Sequence, residues 1–158
     1  MRAADSVSLA SRAGAALVLR ESSECMGRDS VELVRRAYLA WQEGDLEELV
    51  SLLDPQVTWS PVFRFLEGRR AAVGHRAVRR WFRWIRITYR SIEPLPQHFE
   101  DHGHRVLVLG RLVGGSRLRE GELDVAVAWV WTVRGDRITA MQGFREERAA
   151  RQAIRAPD

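Results

Sequence analysis

The chain has 158 residues, 46% of them hydrophobic and 29% charged, a balance that suits one globular domain and excludes a disordered chain. Its net charge is +4 and all 25 basic residues are arginine, so lysine-based imine chemistry and lysine-linked pyridoxal phosphate are excluded. Cys25 is the lone cysteine, which rules out an internal disulfide and a cysteine-rich zinc site, and no apolar run approaches the roughly 20 residues of a membrane-spanning helix.

Residues 1–25 hold one apolar stretch, from Leu9 to Leu19, interrupted by Arg12. They are expected to form a poorly structured N-terminal extension, with Met26 as the functional start and a single domain over 26–158. Asp29 and Glu32 have capping-box spacing, and Val34, Ala37, Tyr38 and Trp41 recur at i, i+3, i+4 and i+7. This pattern predicts an amphipathic helix that stops at Gly44. Asp45 and Glu48 repeat the box, and Leu46, Leu49, Val50 and Leu53 mark a second helix that ends at Asp54-Pro55. A short strand follows over 57–60.

A third helix is predicted from Gly74-His75, with Val78, Trp81, Phe82 and Ile85 on its buried side and Arg76, Arg79, Arg80 and Arg83 opposite. Strands are expected over 88–100, 104–113, 122–134 and 137–146, with turns at His102-Gly103, Gly114-Gly115-Ser116 and Gly135-Asp136. A short arginine- and alanine-rich tail closes the chain. Helices early and strands late imply an α+β fold, with helices packed on one face of an antiparallel sheet. Residues 106–109 and 125–133 are apolar at both parities, so both sheet faces should be covered. Three helices cover one face, and a second copy of the chain is the expected cover for the other, making a homodimer.

Residues 31–45, then Leu53, Asp54, Pro55, Val57 and Trp59, together with Gly74-His75, the strand at 105–110, the hairpin at 130–138 and the tail at 144–150, resemble the SnoaL-like polyketide-cyclase proteins. The likeness runs over about 29–153. It implies the nuclear transport factor 2-like fold, also called ketosteroid isomerase-like or cystatin-like: a curved antiparallel sheet, shaped as a cone and wrapped by three helices. Carried over residue by residue, the isomerase positions hold Ala37 for the tyrosine donor, Ser60 for the aspartate base and Trp129 for the acidic donor. Isomerisation by that mechanism needs the base, and a serine does not supply one at neutral pH, so no catalytic residue is assigned.

The same carry-over places Val108, Trp129, Trp131, Met141 and Arg145 on the inner face of the sheet. Tyr38, Trp41 and Trp81 would join from the helices, and Ser60 from the first strand. Arg145, set among Trp and Met, would anchor an anionic or carbonyl group, or else close a structural ion pair. Two functional readings stand side by side: a dimer that binds an apolar small molecule in the cone and acts on it by isomerase, cyclase or hydrolase chemistry, or a non-catalytic interaction module whose cone is filled by its own aromatics.

No cofactor or metal is implied. The histidines at 98, 102 and 104 fit a hairpin turn better than a zinc site. Nine arginines and one acid between 64 and 90 make a basic stretch, but Trp81 and Phe82 lie on the buried stripe and cannot stack on bases, so nucleic acid is not an expected partner. The expected location is cytoplasmic.

Overall fold

The computed structural model describes residues 29–62, 71–117 and 120–157; the expected N-terminal extension and Met26 lie outside them. Over the described residues the first helix, α1, runs through 29–43 and presents Val34, Ala37, Tyr38 and Trp41 as its buried side. Asp29 and Ser30 are themselves helical, so Asp29 does not cap from outside as its spacing suggested. Gly44 ends the helix at φ 72°, the left-handed conformation that suits glycine, and the amide of Asp45 returns to the Ala40 carbonyl at 2.9 Å. Asp45 then caps α2 (Leu46–Leu52), its Oδ1 accepting from the Glu48 amide at 3.0 Å. The Glu48 side chain does not complete a capping box; it accepts from Arg36 at 2.8 Å and ties α2 to α1.

Strand β1 (Leu53–Ser60) follows directly, then a two-residue strand β2 (Ala72–Val73) and the helix α3 (His75–Thr88). His75 takes part in starting α3: its Nε2 lies 2.9 Å from the Leu53 carbonyl and pins the helix to β1. Strands β3 (Tyr89–His102), β4 (Arg105–Ser116), β5 (Glu122–Arg134) and β6 (Arg137–Phe144) form the expected meander. The sheet order is β2-β1-β6-β5-β4-β3, and β1 runs parallel to β6, so the curved six-stranded sheet is antiparallel except at that seam.

Gly114 and Gly115 do not turn the chain. They lie within β4, paired to Ile92 and Ser91 of β3, and a Cβ on Gly114 would collide with the Ser91 carbonyl, as one on Gly110 would with that of Leu95. Glycine here permits close approach of two strongly bent strands.

The main core lies between the sheet and helices α1–α3, as expected for the cone. A second cluster sits on the opposite face, where Ala150 and Ile154 of α4 (Glu147–Arg155) pack on Leu107, Ala128 and Val130. The tail is therefore a structural helix, and at this patch the chain covers its own two-sided strands. Arg151 fastens α4 at its other edge, donating to both carboxylate oxygens of Glu100 at 2.7 and 2.9 Å.

Candidate functional site

Among the described residues, the interior of the cone is filled by large buried side chains. Trp59, Trp129, Trp131, Tyr38 and Met141 are among the largest fully buried side chains. The Tyr38 ring meets Trp131 at 5.3 Å and Trp129 at 5.5 Å edge-on, and Trp59 meets Trp131 at 6.0 Å, spacings typical of aromatic packing. Trp131 Nε1 donates to the Tyr38 hydroxyl at 2.9 Å. Burial pushes the Tyr38 phenol well above its usual range, only partly opposed by that hydrogen bond, so it stays neutral and acts as no base.

Of the nine residues expected to line a pocket, eight do not line the cavity described below. Tyr38, Trp81, Val108, Trp129, Trp131 and Met141 are core. Ser60 is 5% exposed at the end of β1, opposite Gln142 of β6. Arg145 is exposed. The inward parity of Met141 and Gly143 would have reached it, but β6 ends at Phe144 and the chain bends there into α4.

Trp41 is the ninth, and it lines an open cavity of about 400 Å³ at the mouth of the cone. Four elements build it. The end of α1 supplies Trp41, α2 supplies Leu46 and Leu49, and α3 supplies Phe82 and Ile85. The start of β3 closes the side with Tyr89, Ser91 and Ile92. Gly44, at φ 72°, lets α1 pass into α2 within two residues, which brings Trp41 and Leu46 to the same wall. Arg86, Arg90 and Arg117 complete the lining, which holds no aspartate, glutamate, histidine or cysteine among the described residues. Sequence reasoning placed Phe82 and Ile85 on a buried stripe but gave no sign that Arg117 joins them. Its Nε donates to the carbonyls of Arg86 and Tyr89 at 3.3 and 3.2 Å.

Phe82 is a wall of the cavity and also touches the rings of Trp59 and Trp81, at 5.9 and 4.7 Å. Among the described residues, the indole Nε1 atoms of both tryptophans are buried without a hydrogen-bond partner. The histidines at the β3–β4 hairpin serve Glu100: His98 and His102 approach it at 3.5 and 3.4 Å on the surface.

A search of curated proteins by sequence gives no match. Among solved structures, an NTF2-like protein of unknown function from Burkholderia pseudomallei superposes with a TM-score of 0.68 at 21% identity, covering 81% of this chain and 98% of the other. A putative SnoaL-like polyketide cyclase from Jannaschia sp. CCS1 gives 0.63 at 19% identity, over 83% and 94%. TerC, co-crystallised with polyporic acid, gives 0.67 at 21% identity, over 81% and 99%. These identities establish a shared fold. The family model for the SnoaL-like domain matches residues 34–141, from the buried face of α1 to Met141 of β6, and by that match the chain belongs to the SnoaL-like domain family.

Proposed function

We propose that the chain is a small-molecule-binding domain whose ligand sits at the mouth of the cone, between α1, α2, α3 and β3. The observation that carries this reading is the cavity itself: about 400 Å³, walled by Trp41, Leu46, Leu49, Phe82, Ile85 and Ile92, and within the size range of ligand pockets. The inner cone supports a different role. Filled by Tyr38, Trp59, Trp129 and Trp131, it offers rigidity rather than space, as expected of the interaction-module reading, and it serves here as the floor of the site.

Binding is favoured over catalysis because proton transfer needs a positioned acid or base. The wall holds Tyr89 and three arginines but no carboxylate or histidine among the described residues. A protein of this fold has been co-crystallised with polyporic acid, which supports a small organic ligand.

The homodimer belongs to the same proposal, for the part of the far sheet face beyond α4, where Leu95 and Val113 are half-buried. A cytoplasmic location belongs to it too, on the lone Cys25 and on the lack, among the described residues, of any helix long and apolar enough to cross a membrane. Native mass spectrometry of purified protein tests ligand and dimer together. A co-purified small molecule that is lost in Ile92→Trp, which fills the cavity from its half-buried wall, supports the site. A ligand-free protein that also binds neither N-phenyl-1-naphthylamine nor its sulfonated analogue 8-anilinonaphthalene-1-sulfonate refutes it.

A further inference from the structure

The cavity is charged with one sign only. Elsewhere on the described surface, four arginines are matched to carboxylates: Arg36 to Glu48, Arg79 to Glu47, Arg111 to Asp124 and Arg151 to Glu100. Arg86, Arg90 and Arg117 differ, for among the described residues none of them has a carboxylate partner. Two are held in place all the same. Arg117 is pinned by the carbonyls of Arg86 and Tyr89, and Arg90 Nη2 donates to the Ser116 carbonyl at 3.4 Å. A carbonyl orients a guanidinium without neutralising it, and each guanidinium carries five N–H donors, so most of these donors remain available.

Three cations set around one apolar hollow repel one another, and an anion placed among them relieves that repulsion while accepting their free donors. A neutral ligand would use the wall of Trp41, Phe82, Ile85 and Ile92 but leave the arginines unmatched. We infer that the ligand is an amphipathic organic anion, its apolar body in the cavity and one carboxylate-, sulfonate- or phosphate-type group against Arg86, Arg90 and Arg117. This rests on the cavity being the ligand site, and adds the charge and orientation of the ligand.

Fluorescence titration with a matched pair of probes tests it. 8-Anilinonaphthalene-1-sulfonate and N-phenyl-1-naphthylamine share their rings and differ by the sulfonate. The wild type should bind the anion more tightly by about tenfold or more, the equivalent of one charge-assisted hydrogen bond. In the triple variant Arg86→Met, Arg90→Met, Arg117→Met that preference should collapse while the neutral probe binds as before. Ile92→Trp should abolish binding of both, and Arg148→Met with Arg155→Met on α4 should change neither.

Equal affinities in the wild type overturn the inference and leave the ligand site standing. Binding of neither probe overturns both. A sulfonate preference that survives the triple variant or Ile92→Trp lies elsewhere on this basic surface, and also overturns it. If the triple variant fails to fold, Arg90→Met alone decides: loss of a large part of the preference supports the inference and no loss refutes it. Co-flotation of the protein with phosphatidylglycerol vesicles, removed by the triple variant, would assign the arginines to a lipid surface instead.

Discussion

Trp131 Nε1 donates to the Tyr38 hydroxyl at 2.9 Å, joining the first helix to the fifth strand inside an otherwise apolar core. Both side chains are at most 1% exposed, so neither group can turn to water if its partner is removed. Tyr38→Phe should therefore destabilise the fold by about 1–3 kcal/mol, the penalty of a buried donor left unsatisfied, and urea unfolding measures it.

The same pair sets a pH dependence. The Tyr38 phenol is raised in the folded state by burial, against an unfolded value of about 10. The neutral form is the one the fold accommodates. Stability contributed by Tyr38 is whole below that unfolded value and is lost as pH rises from there toward the raised folded value. Tyr38→Phe should flatten this alkaline slope. An unchanged slope would show that Tyr38 ionises freely in the folded protein.

Glu100 gives the opposite case. Arg151 draws its carboxyl down to about 2, with His102 adding to the effect against partial burial. A folded pKa below the unfolded one contributes stability that is present above the unfolded value, about 4.3, and disappears as pH falls through about 2. Glu100→Gln should remove that acid slope and loosen α4, at about 1–2 kcal/mol near neutrality once solvent screening at the partly exposed Arg151 is allowed for. Acid unfolding curves that coincide for the two proteins would mean the clamp is not formed in solution.

How much of this was legible depended on how local the signal is. The first two helices were readable because their caps and their apolar period lie within one stretch of chain, down to Gly44 and Asp45. The Gly114-Gly115 pair misled because glycine serves both turns and close strand approach, and only the pairing to β3 distinguishes them. Arg145 misled because inward parity was extended past the end of β6. The far-side helix was undervalued because its apolar face consists of little more than Ala150 and Ile154, a stripe too narrow to stand out. The cavity had no local signature at all. Arg117 reaches Tyr89 only because Tyr89 pairs with Ser116, 27 positions on, when β3 and β4 close their ladder.

That far-side helix leads to a test of association. Ending the chain after Arg145 removes α4 and uncovers Leu107, Ala128 and Val130, which are at most 3% exposed in the full chain. An apolar patch of this kind drives self-association, so the truncated protein should sediment as larger species than the full chain does. Ala128→Arg, which places a charge beneath α4, should destabilise the intact protein even where it is monomeric. A truncated protein with an unchanged sedimentation profile would show that α4 shields nothing.

Trp129 separates a core from a pocket wall. It is 1% exposed and touches Tyr38, so Trp129→Ala should reduce stability by about 3–5 kcal/mol and leave probe binding at the mouth intact. Arg145→Met, at an exposed site, should stay within about 0.5 kcal/mol of wild type and bind the same probes equally well. Weakened probe binding in either variant would return the ligand to the inner cone.

The indole N–H groups of the core divide into two kinds, and substitution by phenylalanine compares them directly. Trp131 has an acceptor in Tyr38, whereas Trp59 and Trp81 have none among the described residues. Trp131→Phe and Trp81→Phe remove the same ring volume from buried positions, so their cavity penalties should be of similar size. They differ in what happens to hydrogen bonding. Trp131→Phe strands the Tyr38 hydroxyl, while Trp81→Phe deletes a donor whose desolvation was never compensated. Trp131→Phe should therefore be the more destabilising, by about 1 kcal/mol or more, in urea unfolding of the ligand-free protein. The reverse order would mean that Trp81 finds an acceptor in solution. Since Phe82 is the ring that both covers Trp81 and walls the cavity, the next measurement would then be whether that acceptor enters with the ligand.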